Sequence, residues 1–356
     1  MTIRTYLATP EQRKEKPRKY VFGANFSDHM FTQEYSSANG WHDAKISPYH
    51  PITLDPATSV FHYAQEIFEG LKAYRRPDGM INLFRPEENA ARFTRSATRM
   101  AMQPVDEALH VEAIRALVAL ENDWVPHEEG ASYYIRPAMI ATRPTIGMAP
   151  SDSYLHFIIG GPAGAYYASG FDPIAVKISD KYRRSVVGGV GEAKTGGNYA
   201  ASIYVATEAA KEGYEQVLWL DAINGRNVEE VGAMNICFVY EGSKIVTPAL
   251  SGSILPGITR KSVIELSASL GYEMSEETVD VEQMLADIES GKITEVFGCG
   301  TAAVISPVGR FGYKGTDYVV NNNQTGVVAQ RIYDQLTGIQ YGTIEDTFGW
   351  TQVVEV

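Results

Sequence analysis

Cysteine is almost absent from this chain: of 356 residues only Cys237 and Cys299 are cysteines, and 62 positions separate them. That excludes a disulfide framework and a cysteine-rich zinc module. It fits a reducing compartment, so a cytoplasmic location is expected. Excess positive charge is absent as well. There are 31 basic side chains against 43 acidic ones, a formal net charge of −12. A polyanion is poorly placed to displace the counterions of a nucleic-acid backbone, and no nucleic-acid partner is expected. No run of eighteen apolar residues occurs, and no apolar signal-peptide core opens the sequence, so neither a membrane partner nor secretion is expected. His29, His42, His50, His62, His110, His127 and His156 show no metal-ligand spacing. They are assigned to structure or surface, and no metal site is expected.

What is present is length enough for one large or two ordinary domains, with a sizeable core and no need of staples. Residues 13–19 (RKEKPRK) hold five basic side chains, interrupted by a glutamate and a proline, and read as a solvated tail. Residues 87–103 and 107–123 space apolar side chains as helices do, behind acidic first turns. Further helices are predicted over 198–213, 257–270 and 281–290. Residues 132–139, 154–161, 174–179 and 216–220 are short, β-branched or aromatic, and read as strands. These elements follow no regular βα rhythm, so the fold class is α+β. A cluster at 160–170 (GGPAGAYYASG) marks a boundary. The expected division is a smaller N-terminal α+β domain over 1–168, a linker over 169–181 and a larger C-terminal α+β domain over 182–356.

The densest motif is GGVGEAKTGGNY at residues 188–199, where five glycines surround a single lysine, Lys194. Glycine at that density marks a loop that takes positive φ or lets another molecule approach the backbone, and the helix after it would hold the loop in place. Three chemistries could use the lysine. A P-loop-like nucleotide hydrolase would pair it with a magnesium ligand at Asp221. That fails because Ala193 stands where the motif needs glycine and Glu192 sets a negative charge beside polyphosphate. Residues 298–303 (GCGTAA) fit a dinucleotide fingerprint, but the β-branched, proline-containing VISPV after them predicts a strand where that motif needs a helix N-terminus.

The third use is covalent: an amine that condenses with the aldehyde of pyridoxal 5'-phosphate. That cofactor needs an acid at its ring nitrogen, a donor near its phenolate oxygen and a phosphate pocket. Glu230 in VEEVGAMN (228–235) is a candidate acid, although Glu229 could be the inward one, and a plain polar strand edge fits the spacing equally well. LPGITR (255–260) leaves the N–H groups of Ile258 and Thr259 at a helix start, where an anion binds. Arg92, on the first predicted helix, can add a charged contact. Taken singly, each of these is ordinary punctuation or surface.

Taken together and in order, these segments resemble the branched-chain amino acid aminotransferases, fold-type IV (class IV) pyridoxal phosphate enzymes. The likeness runs from FGANFSDHMF (22–31) through FHYAQEIFEGLKAY, LFRPEENAARFTRSATR, YYIRP, GPAGAYY, the lysine loop, QVLWLD, VEEVGAMN, LPGITR and EVFGCGTAA to IQYG (339–342). It covers nearly the whole chain. The resemblance implies a two-domain, D-amino acid aminotransferase-like architecture with the cofactor at the domain interface. It also implies reversible, ping-pong amino transfer between L-leucine, L-isoleucine or L-valine and 2-oxoglutarate, which yields L-glutamate. Other enzymes of the same fold type, a D-amino acid aminotransferase or an aminodeoxychorismate lyase, are the near alternatives.

Residue by residue, the resemblance makes Lys194 the Schiff-base lysine and proton shuttle. Glu230 faces the pyridinium nitrogen, Tyr199 bonds the phenolate oxygen, and Arg92 with the amides of Ile258, Thr259 and Thr301 holds the phosphate. It lines the substrate pocket with Phe68, Tyr134, Tyr166 and Ala302, places Arg136 nearby, and gives the Thr301 and Ala302 backbone to the substrate carboxylate. Tyr63 and Met148 would reach in from the second subunit of a homodimer. One departure stands out. Mammalian members carry a CxxC pair just after the Gly-Thr-Ala turn, where this chain has Ala303, Val304, Ile305 and Ser306, so a thiol switch at that place is not expected. Cys299 then reads as a packed thiol.

Overall fold

The structure, a computed structural model, describes residues 2–164 and 171–355. In chain order the described residues form β1 (Arg4–Thr5), β2 (His29–Ser36), β3 (Gly40–Pro48), α1 (Ser59–Tyr63), β4 (Glu66–Phe68), β5 (Leu71–Arg75), β6 (Ile81–Phe84), α2 (Pro86–Arg99) and α3 (Glu107–Leu120). There follow β7 (Ser132–Ala141), β8 (Ser153–Ala163), β9 (Ile174–Ile178), α4 (Gly196–Lys211), β10 (Gln216–Leu220), β11 (Val228–Val231), β12 (Asn235–Tyr240), β13 (Lys244–Pro248), α5 (Ile258–Ser269) and β14 (Glu273–Glu277). The chain closes through α6 (Val281–Glu289), β15 (Ile293–Gly300), β16 (Val304–Tyr313), β17 (Thr316–Val319), α7 (Val327–Tyr341) and β18 (Thr351–Val354). The α+β expectation holds.

The chain divides into two compact units. The first comprises Met1–Tyr166, Ala193–Gly196 and Gly338–Val356, and the second Tyr167–Glu192 and Gly197–Thr337.

The first unit is built on a sheet of order β1-β3-β2-β8-β7-β5-β6-β18, with β4 pairing to β7. All its pairings are antiparallel except β1 with β3. The long β7–β8 ladder, from Ser132 opposite Ala163 to Ala141 opposite Tyr154, is its spine. Helix α2 starts with Pro86 at its first position and Glu87 and Glu88 in its first turn, which suits a missing N–H and the positive end of the dipole. Its buried face carries Ala90, Phe93 and Ala97 at helical spacing. The helix stops at Arg99, short of the predicted residue 103, because Ala101 takes a left-handed φ of 53° and turns the chain away. Helix α3 opens on Asp106, whose carboxylate accepts the Leu109 N–H at 2.8 Å. It buries Leu109, Ala113, Ile114, Leu117 and Val118, the last four of which join Phe31, Leu83, Ile135 and Ile158 of the sheet in one core. The basic run near the N-terminus is tied down rather than free: the Lys14 amine donates to the carbonyls of Phe26 and Ser27 and the Lys16 amine to that of Asp123.

The second unit has a mixed sheet of order β11-β10-β9-β16-β15-β12-β13-β14, with β17 on β16. Its pairings β9–β10, β9–β16 and β13–β14 are parallel. Its core unites Val176, Leu218, Ile236, Phe238, Val296 and Phe311 from the strands with Met284, Leu285 and Ile288 of α6. Each such side chain contributes about 1.5–3 kcal/mol by leaving water. Asp280 caps α6, accepting the N–H groups of Glu282 and Gln283. The strand expected after the Gly-Thr-Ala turn is β16, as the β-branched composition requires.

Candidate active site

Helix α4 begins two residues earlier than its apolar pattern predicts, at Gly196, and the reason is a carboxylate. Glu66 accepts the Gly196 N–H, while the Thr195 hydroxyl donates to the Glu66 carbonyl at 2.7 Å. A Cβ on Gly196 would collide with Glu66 Oε1, and one on Gly191 with the Ser253 carbonyl, so at these two positions glycine is required by close approach within the protein itself. Burial pushes the Glu66 carboxyl up, against the pull of the Gly196 N–H and the Arg136 guanidinium.

In the first unit Lys194 is held by its backbone on both sides. Its N–H donates to Ser96 Oγ of α2 at 2.9 Å, and its carbonyl accepts the Phe68 N–H at 3.0 Å. Its Nζ lies 5.0 Å from the centre of the Phe68 ring. Arg136 stacks over the same ring at 4.8 Å and donates to Tyr134 Oη at 3.0 Å. Tyr134 and Arg136 are two apart on β7 and therefore share a face, and Phe68 of β4 pairs with Ala138, the next residue on that face. The structure thus gathers Phe68, Tyr134, Arg136 and Lys194. Arg92, one turn before Ser96 on α2, is clamped by Glu69 through Nε to Oε1 at 2.7 Å and Nη2 to Oε2 at 2.9 Å. Tyr63 and Met148 stay on the surface, 41% and 88% exposed, and the Tyr63 hydroxyl donates to the Ile146 carbonyl. Tyr166 lies outside the described residues.

In the second unit β11, the end strand of its sheet, is buried along its whole length, so the two glutamates of VEEV do not form a solvated face. Glu230 Oε2 pairs with Arg184 Nη2 at 2.6 Å, and its Oε1 accepts the Leu255 N–H at 3.2 Å and Asn235 Nδ2 at 3.4 Å. Glu229 is buried too; it accepts the Ser253 hydroxyl, and burial pushes its carboxyl up despite that bond. Ile258 and Thr259 open α5 with both residues buried and no side-chain cap from Gly257, which leaves first-turn N–H groups suited to an anion. Thr301 and Ala302 form the turn between β15 and β16. Two residues on, Val304 takes φ 63°, a strained conformation for a β-branched side chain. Tyr199 sits half-buried in the first turn of α4.

Sequence reasoning missed Glu69, Ser96 and Arg184. Helical spacing from Arg92 could have flagged Ser96; nothing local marks Arg184. Asp221, the would-be magnesium ligand, is spent on structure: its carboxylate accepts the N–H groups of Ile223, Asn224, Arg226 and Asn227. Burial alone would raise its pKa, but those four bonds outweigh it and hold the carboxyl below its ordinary value. Cys237 and Cys299 lie on adjacent strands, both buried, and the thiol–thiol hydrogen bond followed by burial pushes Cys299 up, as befits packed thiols.

The first unit thus offers an amine at Lys194 and an arginine at Arg92, and the second a buried carboxylate at Glu230 and the uncapped helix start at Ile258. Residues 66–311 match the amino-transferase class IV family, and the chain belongs to that family. A probable branched-chain-amino-acid aminotransferase of Staphylococcus aureus (strain N315) is 51% identical over 97% of this chain and 96% of its own length. Branched-chain-amino-acid transaminase 1 of Bacillus subtilis (strain 168) is 50% identical over 96% of each. The crystal structure of the Escherichia coli branched-chain amino acid aminotransferase superposes with a TM-score of 0.77 at 27% identity, over 92% of this chain and 99% of that one. Class IV aminotransferases use pyridoxal phosphate, which these residues fit. Among the described residues no group of three or more histidine, cysteine or acidic side chains could hold a metal, and no helix is long and apolar enough to cross a membrane.

Proposed function

We propose that this chain catalyses reversible amino transfer between L-leucine, L-isoleucine or L-valine and 2-oxoglutarate, by alternating half-reactions on pyridoxal 5'-phosphate. The observation that carries the reading is the seat of Lys194, fixed by backbone bonds to Ser96 and Phe68 with its amine beside the Phe68 ring, in a chain half identical to enzymes named for branched substrates. When bound, pyridoxal phosphate supplies a carbonyl for amino groups and a ring that takes up the electrons released as the substrate Cα–H bond breaks. The chain does the rest. Lys194 Nζ anchors the cofactor and carries the proton to and from Cα. Glu230 holds a proton at the ring nitrogen, Tyr199 donates to the phenolate oxygen, and Arg92 with the N–H groups of Ile258, Thr259 and Thr301 binds the phosphate.

In this reading the branched hydrocarbon of the substrate is met by Phe68, Tyr134 and Ala302, the role the family resemblance also gives Tyr166. Arg136, the Tyr134 hydroxyl and the Thr301 and Ala302 amides serve carboxylates, including the second one of glutamate. The working form in this reading is a cytoplasmic homodimer in which Tyr63 and Met148 of each subunit line the other's pocket. Exposed Phe61, Tyr63, Ile146 and Met148 support such a covered face.

The test compares amino donors on purified enzyme. Rapid transfer from L-leucine to 2-oxoglutarate, with D-alanine inert, is the expected result. Preference for D-alanine, or release of an aromatic product from aminodeoxychorismate, would reassign the chain within its family.

A further inference from the structure

A carboxylate taken out of water tends to pick up a proton, because burial penalises the charged form. Glu230 has only 5% of its side chain exposed, yet it sits against a cation that cannot give up its charge: the Arg184 guanidinium, itself 7% exposed, with Nη2 2.6 Å from Glu230 Oε2. The same Nη2 donates to the Ser253 carbonyl at 2.6 Å and lies 3.4 Å from that of Gly191. Arg184 is therefore anchored to the backbone of two loops as well as to the acid. On its other oxygen Glu230 accepts the Leu255 N–H and the Asn235 amide. Every one of these partners is a donor, so all favour the ionised form. Neighbouring Glu229 shows the contrast: its Oε1 accepts only a hydroxyl, and its Oε2 is buried with no hydrogen-bond partner among the described residues. Cys299 of β15, buried, interacts electrostatically both with Glu230 and with Arg260 of α5.

Resting on the proposed function, we propose that Arg184 is a positioning residue that keeps Glu230 a carboxylate, so that the proton shared between Glu230 and the ring nitrogen of bound pyridoxal phosphate stays on the nitrogen. Moving that proton to Glu230 would leave the guanidinium facing a neutral acid and forfeit the attraction of the pair. Without Arg184 that loss disappears, and the proton shifts toward the carboxyl. An opposite charge at this distance lowers a carboxyl pKa by about 1–3 units, so about 10- to 1,000-fold in proton preference is at stake.

The experiment loads the holoenzyme with ring-15N pyridoxal phosphate and reads the nitrogen chemical shift in wild type, Arg184→Lys, Arg184→Gln and Glu230→Gln. Wild type and Arg184→Lys are expected to show a protonated ring nitrogen, and Arg184→Gln a shift toward neutral pyridine. If Glu230→Gln moves the signal and Arg184→Gln does not, the role of Arg184 is overturned while the assignment of Glu230 stands. If Glu230→Gln leaves the signal unmoved, Glu230 is not the ring acid and the proposed function loses that part. Should Arg184→Gln fail to fold, the infrared difference between wild-type and Glu230→Gln holoenzyme decides. An ionised carboxylate at neutral pH is expected, and a protonated one overturns the inference.

Discussion

Glu69 and Arg92 form a bidentate ion pair with both side chains out of solvent, 0% and 4% exposed, at 2.7 and 2.9 Å. The Gly70 N–H donates to the same carboxylate. Such a pair contributes little relative to a well-packed apolar substitute, but removing one partner strands the other charge in the interior. Glu69→Ala is expected to destabilise the protein by about 3–5 kcal/mol, read from the urea midpoint. The double variant Glu69→Met with Arg92→Met should recover most of that loss while retaining cofactor poorly. Equal stability of Glu69→Ala and wild type would mean that the pair is not closed in solution.

Lys194→Ala is expected to abolish turnover and to leave the protein without borohydride-reducible cofactor, because no other amine is held as Lys194 is by Ser96 and Phe68. Mass spectrometry of the reduced wild-type protein should find the adduct on the peptide that contains Lys194. An adduct elsewhere refutes the assignment.

Acid should loosen the first unit through its histidines. His110 of α3 and His156 of β8 are stacked with ring centres 5.0 Å apart, and none of their four ring nitrogens has a hydrogen-bond partner among the described residues. Burial pushes His110 down to about 4, with Glu69 pulling weakly the other way, and burial and then the neighbouring His110 push His156 well below its ordinary value. The folded state thus holds both rings neutral, whereas the unfolded chain protonates them near 6.5. Stability is full above that pH and falls as pH drops from about 6.5 toward 4, by about 3 kcal/mol for His110 alone. Urea midpoints across this window, in wild type and His110→Leu, check it. The variant should lose up to about 1.4 kcal/mol per pH unit of the slope.

Asp280 caps α6 and also pairs with Arg226 at 2.8 Å, on a helix that bears none of the proposed site residues. Asp280→Ala should cost about 1 kcal/mol for the cap and little for the exposed pair, with turnover unchanged. A large loss of activity in this variant would show that α6 transmits strain to the site residues of its own unit.

Local chemistry was legible along the chain. Strand β10 occupies residues 216–220, where β-branched and aromatic side chains predict it, and α5 and α6 lie within a residue or so of their apolar patterns. Strands β2 and β3 and helix α7 were not anticipated. The first two lack a clean alternation, and α7 carries Gly338 inside its apolar pattern, against which the Ile344 side chain packs closely.

The order of motifs and the chemistry of single residues were already settled by the amino acids themselves: a lysine among glycines, an acid before an apolar strand, and a helix start without a capping side chain. Which groups meet was settled only when the chain closed on itself. Ser96 and Lys194 stand 98 positions apart, and Arg184 and Glu230 stand 46 apart. The segment Ala193–Gly196 packs with the first unit although the chain on either side of it belongs to the second. Spacing along a chain reports only neighbours within a few residues, whereas the ionisation of a buried carboxylate depends on which cation long-range packing sets against it.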